Sequence, residues 1–232
     1  ALLETVTRNA QEEFTRHRMK RASDHNTRSR ALTELQTHLG LPEAPLRIEC
    51  YDMAHLQGTD YVGSMVVLED GLPAKREYRR FKVNGVGGSE VGSGSDDYAA
   101  MAEVVRRRLT AYLAEQDKPI GERDGEAGGE GKERTPGKFA YPPQLLLVDG
   151  GKGQVSATQQ VVDELGLADE IPVAGLAKRF EEIYVPGRSE PVEIPRGSEA
   201  LFMLQRIRDE AHRFANSFHR ERRSKRMTVS AL

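Results

Sequence analysis

The amino-acid sequence predicts a mixed α/β domain: an antiparallel three-stranded meander, then two parallel strands alternating with helices, with an N-terminal helical extension. Three observations carry this expectation. Leu46-Arg47-Ile48-Glu49-Cys50 and Arg76 to Val83 alternate at period two around a Val- and Met-rich run, Tyr61 to Leu68, with a turn at Glu69-Asp70-Gly71. Leu145 to Val148 and Ile171 to Leu176 are apolar throughout, as strands covered on both faces must be. Stretches of helical spacing separate and flank these runs.

Taken in order, residues 1 to 40 read as helical. Leu3, Val6, Ala10 and Phe14 recur at helical spacing, as do Ala31, Leu32, Leu35 and Leu39, before Gly40 and Pro42 stop the pattern. Between them lies a basic stretch, Arg16 to Arg30, which reads as a solvated helix face or as an arm toward a DNA backbone or another domain. Residues 1–45 are accordingly expected to be a helical arm, and 46–227 the main domain. A Gly/Ser stretch, Gly85 to Ser95, precedes a helix starting at Asp96 or Asp97 and running through Leu109, with acids in its first turn. Residues 117–138 are low in complexity and read as a disordered surface insertion. After Val148, Asp149 ends its strand and Gly150-Gly151-Lys152-Gly153 turns the chain into a helix from Gln154 to about Leu165. Ile183–Val185 and Val192–Ile194 flank a turn starting at Pro186-Gly187. A long helix, Glu199 to about Arg226, carries apolar Leu204, Ile207, Ala211, Phe214 and Phe218. This succession is that of a ribonuclease H-like fold, strand order 3-2-1-4-5, in which the first and fourth strands lie side by side where the sheet order reverses. Ligands gather outside the strand ends at such a point.

Composition excludes several classes. With 34 Lys+Arg against 36 Asp+Glu the chain is not a polybasic binder, and its single cysteine, Cys50, excludes an internal disulfide or a multi-cysteine metal site. No apolar run approaches a membrane span, and the charged N-terminal segment is no signal peptide. The chain begins without Met and ends without a closing element, so an excised fragment is expected, working in a reducing cytoplasm.

Two carboxylates stand out by position. Asp52 at the end of the first strand and Asp149 at the end of the fourth would project into one crevice, and like charges so placed call for a cation, magnesium or manganese by the hardness of oxygen ligands. His212 on the last helix shares a stripe with Arg208 and His219 beside the apolar face. The segment Gln205 to Arg226 holds eight basic and three acidic side chains, a local positive field. The glycine-rich turn is not a Walker loop, because Lys152 is followed by Gly153 and not by Ser or Thr. Its glycines instead let backbone and Lys152 approach a phosphate at a helix N-terminus.

Several blocks match a known family. Arg47-Ile48-Glu49-Cys50-Tyr51-Asp52, Tyr78-Arg79-Arg80-Phe81, Asp96-Asp97-Tyr98-Ala99-Ala100-Met101, Val148 through Gln154, Gly175 through Arg179 and Leu204 through Ala215 closely resemble the C-terminal endonuclease domain of the UvrC family, the incision subunit of bacterial nucleotide excision repair. The resemblance covers nearly the whole chain. It implies a ribonuclease H-like nuclease cutting the damaged strand 5′ of a lesion, with an Asp-Asp-His triad on Asp52, Asp149 and His212. A further family acid would fall on Asp97, with Asp96 the alternative, because the Gly85–Ser95 stretch is longer than the usual family loop. Asp52, Asp149 and His212 would hold Mg²⁺ or Mn²⁺, with His212 ligating a second ion or acting as a general base. Lys152, Arg79, Arg206 and Arg208 are candidate phosphate contacts. The implied partners are damaged double-stranded DNA and UvrB, with no membrane and a monomeric state. The competing reading is a DNA- or UvrB-docking module that is catalytically silent by itself.

Overall fold

The computed structural model describes residues 2–55, 61–83, 94–117, 139–177 and 181–229. Helix α1 (Leu2–Leu39) leads into strands β1 (Arg47–His55), β2 (Tyr61–Glu69), β3 (Leu72–Pro73) and β4 (Arg79–Val83). Helix α2 (Gly94–Gln116) follows, then β5 (Leu145–Asp149), α3 (Lys152–Glu164), β6 (Val173–Ala177), β7 (Glu182–Tyr184) and α4 (Glu199–Val229). The sheet order is β3-β2-β1-β5-β6-β7, with β4 also on β2; β1–β5 and β5–β6 are parallel and the other pairs antiparallel. The expected 3-2-1-4-5 arrangement is therefore present as β4-β2-β1-β5-β6, a ribonuclease H-like sheet flanked by helices. The Gly85–Ser95 stretch and the 117–138 segment fall almost entirely outside the described residues.

Four local expectations are corrected. Strand β1 does not end at Asp52 but continues to His55 against β2, since only its pairing with β5 stops at Tyr51↔Val148. The third meander strand is split. Asp70 (φ 49) and Gly71 (φ 70) form the tight turn that an Asp-Gly pair favours, but Pro73 has no N–H to extend the ladder. A short 3₁₀ turn, Lys75–Glu77, intervenes before β4 resumes the pairing. Helix α2 begins at Gly94, two or three residues earlier than the sequence suggested, and α3 at Lys152, two residues earlier. Val173, not Ile171, opens β6, while Pro172 contributes only its carbonyl, to Leu146 N–H.

Strand alternation sorts the core into two layers. Tyr51, Met65, Val67, Leu146 and Val148 pack under α2 and α3 with Val104, Val105, Leu109, Val155 and Val162. Ile48, Cys50, Val66, Leu68, Leu145 and Leu147 pack under α1 and α4 with Leu32, Leu35, Leu204, Ile207 and Ala211. Among the described side chains of α1 the buried ones, Ala31, Leu32 and Leu35, lie in its last turns, while Val6, Phe14 and Met19 are exposed.

A buried charge cluster ties β1 to α2. The Glu49 carboxylate, fully buried, accepts hydrogen bonds from Arg108 (2.7 Å), Arg47 (3.1 Å) and the Tyr51 hydroxyl (2.7 Å). Arg108, itself wholly buried, also donates to the Tyr141 carbonyl at 2.7 Å, so the segment before β5 is tied to the same cluster. Burial pushes the Glu49 carboxyl up, but the two guanidinium groups and their hydrogen bonds outweigh it and hold it below its ordinary range.

Helix α4 is fastened at two points. Near its start, Glu34 of α1 accepts from Ala200 N–H at 3.0 Å, and Arg30 pairs with Glu199 at 2.9 Å. Further along, Arg80 of β4 donates to Ser217 Oγ (2.7 Å) and the Phe214 carbonyl (3.3 Å), with its guanidinium 4.3 Å from the centre of the Phe214 ring. Tyr78 meets Phe214 edge-on and donates its hydroxyl to Glu210 at 3.0 Å.

Glu49→Gln, which leaves the buried Arg108 guanidinium without its carboxylate and removes one of the carboxylates around Arg47, is expected to cost about 3–5 kcal/mol in urea unfolding near neutral pH. Because the folded-state carboxyl titrates below its unfolded value, that stabilisation is complete above the unfolded value of roughly pH 4 and fades as pH falls through the lower folded value. The stability gap between wild type and variant should therefore narrow in acid. Arg80→Met should cost about 1–3 kcal/mol by the same measurement, through its lost charge-assisted hydrogen bonds and ring contact.

Candidate functional site

The alternation that buries Ile48 and Cys50 beneath α4 aims Asp52 at the same helix, and that of Leu145 and Leu147 does so for Asp149. The two aspartates stand one residue beyond the last β1–β5 pair, Tyr51↔Val148, and so lie side by side on adjacent parallel strands. On α4, Ile207 and Ala211 dock on the sheet, and His212 follows at the edge of that face.

The three side chains meet. His212 Nδ1 lies 2.7 Å from Asp52 Oδ2, and with Asp52 ionised it is the ring N–H that donates. His212 Nε2 lies 3.1 Å from Asp149 Oδ2 without the alignment of a hydrogen bond. The ring is thus wedged between two carboxylates whose side chains are 9% and 4% exposed, while its own is 26% exposed. One donor atom from each residue falls within 4.8 Å of the others, a grouping able to hold a metal ion. Two carboxylate oxygens with one imidazole suit a hard divalent cation, so the residues present fit the ion that the sequence suggested.

Several neighbours shape this cluster. Cys50 lies beneath it, and burial, reinforced by Asp149 and Asp52, pushes its thiol well up, which keeps it an inert core residue. Behind Asp149, Gly175 of β6 lets the turn settle onto the sheet: a Cβ there would stand 2.6 Å from the Gly150 carbonyl oxygen and 2.4 Å from Val155.

The structure distributes the other sequence-derived residues unevenly. Arg208, one turn before His212, is largely buried and faces Asp209 (3.2 Å) and Glu181 (3.9 Å). Lys152 opens α3, three residues after Asp149, with its amine 5.4 Å from the centre of the Tyr184 ring. Asp97 is exposed in the first turn of α2, which packs beside the first turn of α3 through Tyr98 and Gly153, and it is not among the three clustered residues. The side chains of Asp96 and His219 lie outside the described residues. Arg79 points to the α2 side of the sheet, donating to the carbonyls of Arg76 (2.7 Å) and Tyr78 (2.8 Å), near Phe139. Arg206 lines an exposed groove with Leu68, Pro73, Met203 and Arg213, on another face of α4 from His212.

Sequence reasoning passed over Arg80 and Ser64. The register Asp52↔Ser64↔Arg80 sets all three in one row across β1, β2 and β4, beneath α4. Period-two alternation within Tyr78-Arg79-Arg80-Phe81 was the signal available: it turns Arg80 toward α4 and Arg79 away.

Comparison with known proteins places this architecture. The UvrABC system protein C of Thermobifida fusca (strain YX) is 53% identical over 235 residues, covering 100% of this chain and 35% of that protein. The protein of the same name from Mycolicibacterium paratuberculosis (strain ATCC BAA-968 / K-10) is 54% identical over 232 residues, covering 100% of this chain and 34% of that protein. The chain thus spans about a third of the length of these curated relatives. Among solved structures, Ciona intestinalis endonuclease V in complex with a 24mer DNA aligns at 15% identity with a TM-score of 0.37, over 84% of this chain and 68% of that one. Residues 36–216 match the sequence model of the UvrC RNAse H endonuclease domain. That match takes in every strand of the sheet together with Asp52, Asp149 and His212, and the chain belongs to this family.

Proposed function

We propose that this chain is a nuclease unit that hydrolyses a DNA phosphodiester bond, making the 5′ incision beside a lesion in nucleotide excision repair. The observation that carries the reading is the meeting of Asp52, Asp149 and His212, from three separate elements, in a chain of this family. Asp52 and Asp149 would hold Mg²⁺ or Mn²⁺, with His212 ligating a second ion or acting as a general base. Bound there, the ion supplies Lewis-acid activation of water and a countercharge for the reacting phosphate.

The chain's own residues do the remaining work. Asp52 fixes the His212 ring through Nδ1, which leaves Nε2 either to ligate an ion or to take up and release a proton. Asp149 faces that atom from the neighbouring strand. Arg208 contributes positive charge one helical turn away, and Lys152 offers an ammonium group to a phosphate at the start of α3. Asp97 is the further acid at this end of the sheet. Arg79 and Arg206 would touch DNA only beyond the immediate site. Damaged double-stranded DNA is the proposed substrate and UvrB the proposed partner, with the chain acting as a monomer in the cytoplasm.

A labelled duplex nicked in the presence of Mn²⁺ or Mg²⁺ tests the reading. Asp149→Asn, which keeps size but removes charge, is expected to slow nicking by at least about 10²-fold, and chelation by EDTA to abolish it. Undiminished cutting by the variant would move the chemistry elsewhere, and no cutting by either protein would favour the silent docking module. Ion binding has its own readout in thermal melting. Mn²⁺ at a hundred times its Kd should stabilise the wild type by about 2.7 kcal/mol and leave Asp52→Asn almost unshifted.

A further inference from the structure

Two tyrosines bracket the turn that follows Asp149. A Cβ added to Gly153 would stand 2.4 Å from Tyr98 Cζ and 2.6 Å from its hydroxyl oxygen, so this ring, from the first turn of α2, rests directly on the bare Cα. A Cβ on Gly151 would lie 4.0 Å from Tyr184 Cε2, and the Lys152 amine stands 5.4 Å from the centre of the same ring. The Tyr184 hydroxyl donates to Glu182 Oε2 at 2.5 Å, which fixes the ring. Tyr98 makes no hydrogen bond among the described residues and is 38% exposed. From this turn a cleft of about 350 Å³ runs between α3 and the β7 segment, lined by Lys152, Ser156, Gln159, Tyr184 and Arg188 among others. Its volume is at the small end of ligand-sized cavities.

Gly153 therefore does more than turn the chain, since a side chain there would occupy the space of the Tyr98 ring, while Gly151 leaves Tyr184 at ordinary contact distance. Open aromatic surface beside an ammonium and a guanidinium group is the chemistry that binds single-stranded nucleic acid: bases stack on rings while phosphates meet cations. Bases inside a duplex already stack on each other and have no free face to offer.

We propose that Tyr98 on Gly153 and Tyr184 beside Lys152, on the two sides of the glycine-rich turn, with Arg188 farther along the cleft, form a subsite for an unstacked nucleotide of the strand that passes the Asp149 turn. The choice of ligand rests on the nuclease reading above. The subsite would hold locally opened DNA by its bases, independently of any ion and without reading sequence.

Fluorescence anisotropy with a labelled single-stranded oligonucleotide in EDTA measures this binding with no cutting. Tyr98→Leu and Tyr184→Leu should each raise Kd about tenfold, while Tyr98→Phe and Tyr184→Phe stay within about twofold of wild type. A strand of abasic residues should bind wild type and Leu variants alike. Circular dichroism checks that each variant folds, and the two positions test the subsite independently. Wild-type Kd in the Leu variants, a loss that persists on the abasic strand, Phe variants as weak as Leu variants, or no binding by wild type would each overturn the subsite. The nicking comparison with Asp149→Asn reads the other proposal separately. Lost stacking with intact cutting leaves a nuclease without this subsite, and the converse leaves a single-strand binder.

Discussion

Two carboxylates held side by side on neighbouring parallel strands repel one another, and most of what surrounds Asp52 and Asp149 follows from keeping them there. Their backbones are fixed by β1–β5 pairing that ends one residue before each. One imidazole is wedged between them from a helix far away in the chain. That helix must be kept from sliding, and it is: Glu34 and Arg30 hold its start, while Tyr78 and Arg80 grip it on either side of the histidine. A shift of α4 by one residue would turn His212 through about 100° and away from both acids.

Strand β1 shows two solutions to burying negative charge, on opposite faces. Toward α2, Glu49 is enclosed by two guanidinium groups and a tyrosine hydroxyl, which satisfies it and leaves no room for a ligand. Toward α4, Asp52 and Asp149 flank the His212 ring, an arrangement into which a cation would fit. The first arrangement is a structural tie between sheet and helix. The second brings two carboxylates and an imidazole within reach of one ion, and that is what suits it to chemistry.

The sheet order was legible because period two and all-apolar runs differ so plainly, and because two carboxylates at strand ends imply a crevice once the order is known. The exact ends were less legible. The length of β1 beyond Asp52 depends on β2 and not on β5, and the break at Pro73 competes with an alternating pattern on either side. The Glu49 cluster was hidden because an alternating Arg-Ile-Glu reads as an ordinary half-exposed strand until α2 covers it. Arg80 was hidden behind Arg79, since one residue decides which sheet face a side chain joins. Asp97 is exposed in the first helical turn and is not among the clustered three, while the Asp96 side chain lies outside the described residues.

The register of β1 has a further consequence for the quality of the folded population. Slipping β1 by one residue would move Asp52 to the α2 face, and the same slip would carry Ile48 and Cys50 out of their layer and set Glu49 among the apolar side chains beneath α4. An error that disarms the site is thus one that the core cannot tolerate. Assembly errors in this strand are purged by instability, and molecules that reach the folded state do so with both acids aimed at His212.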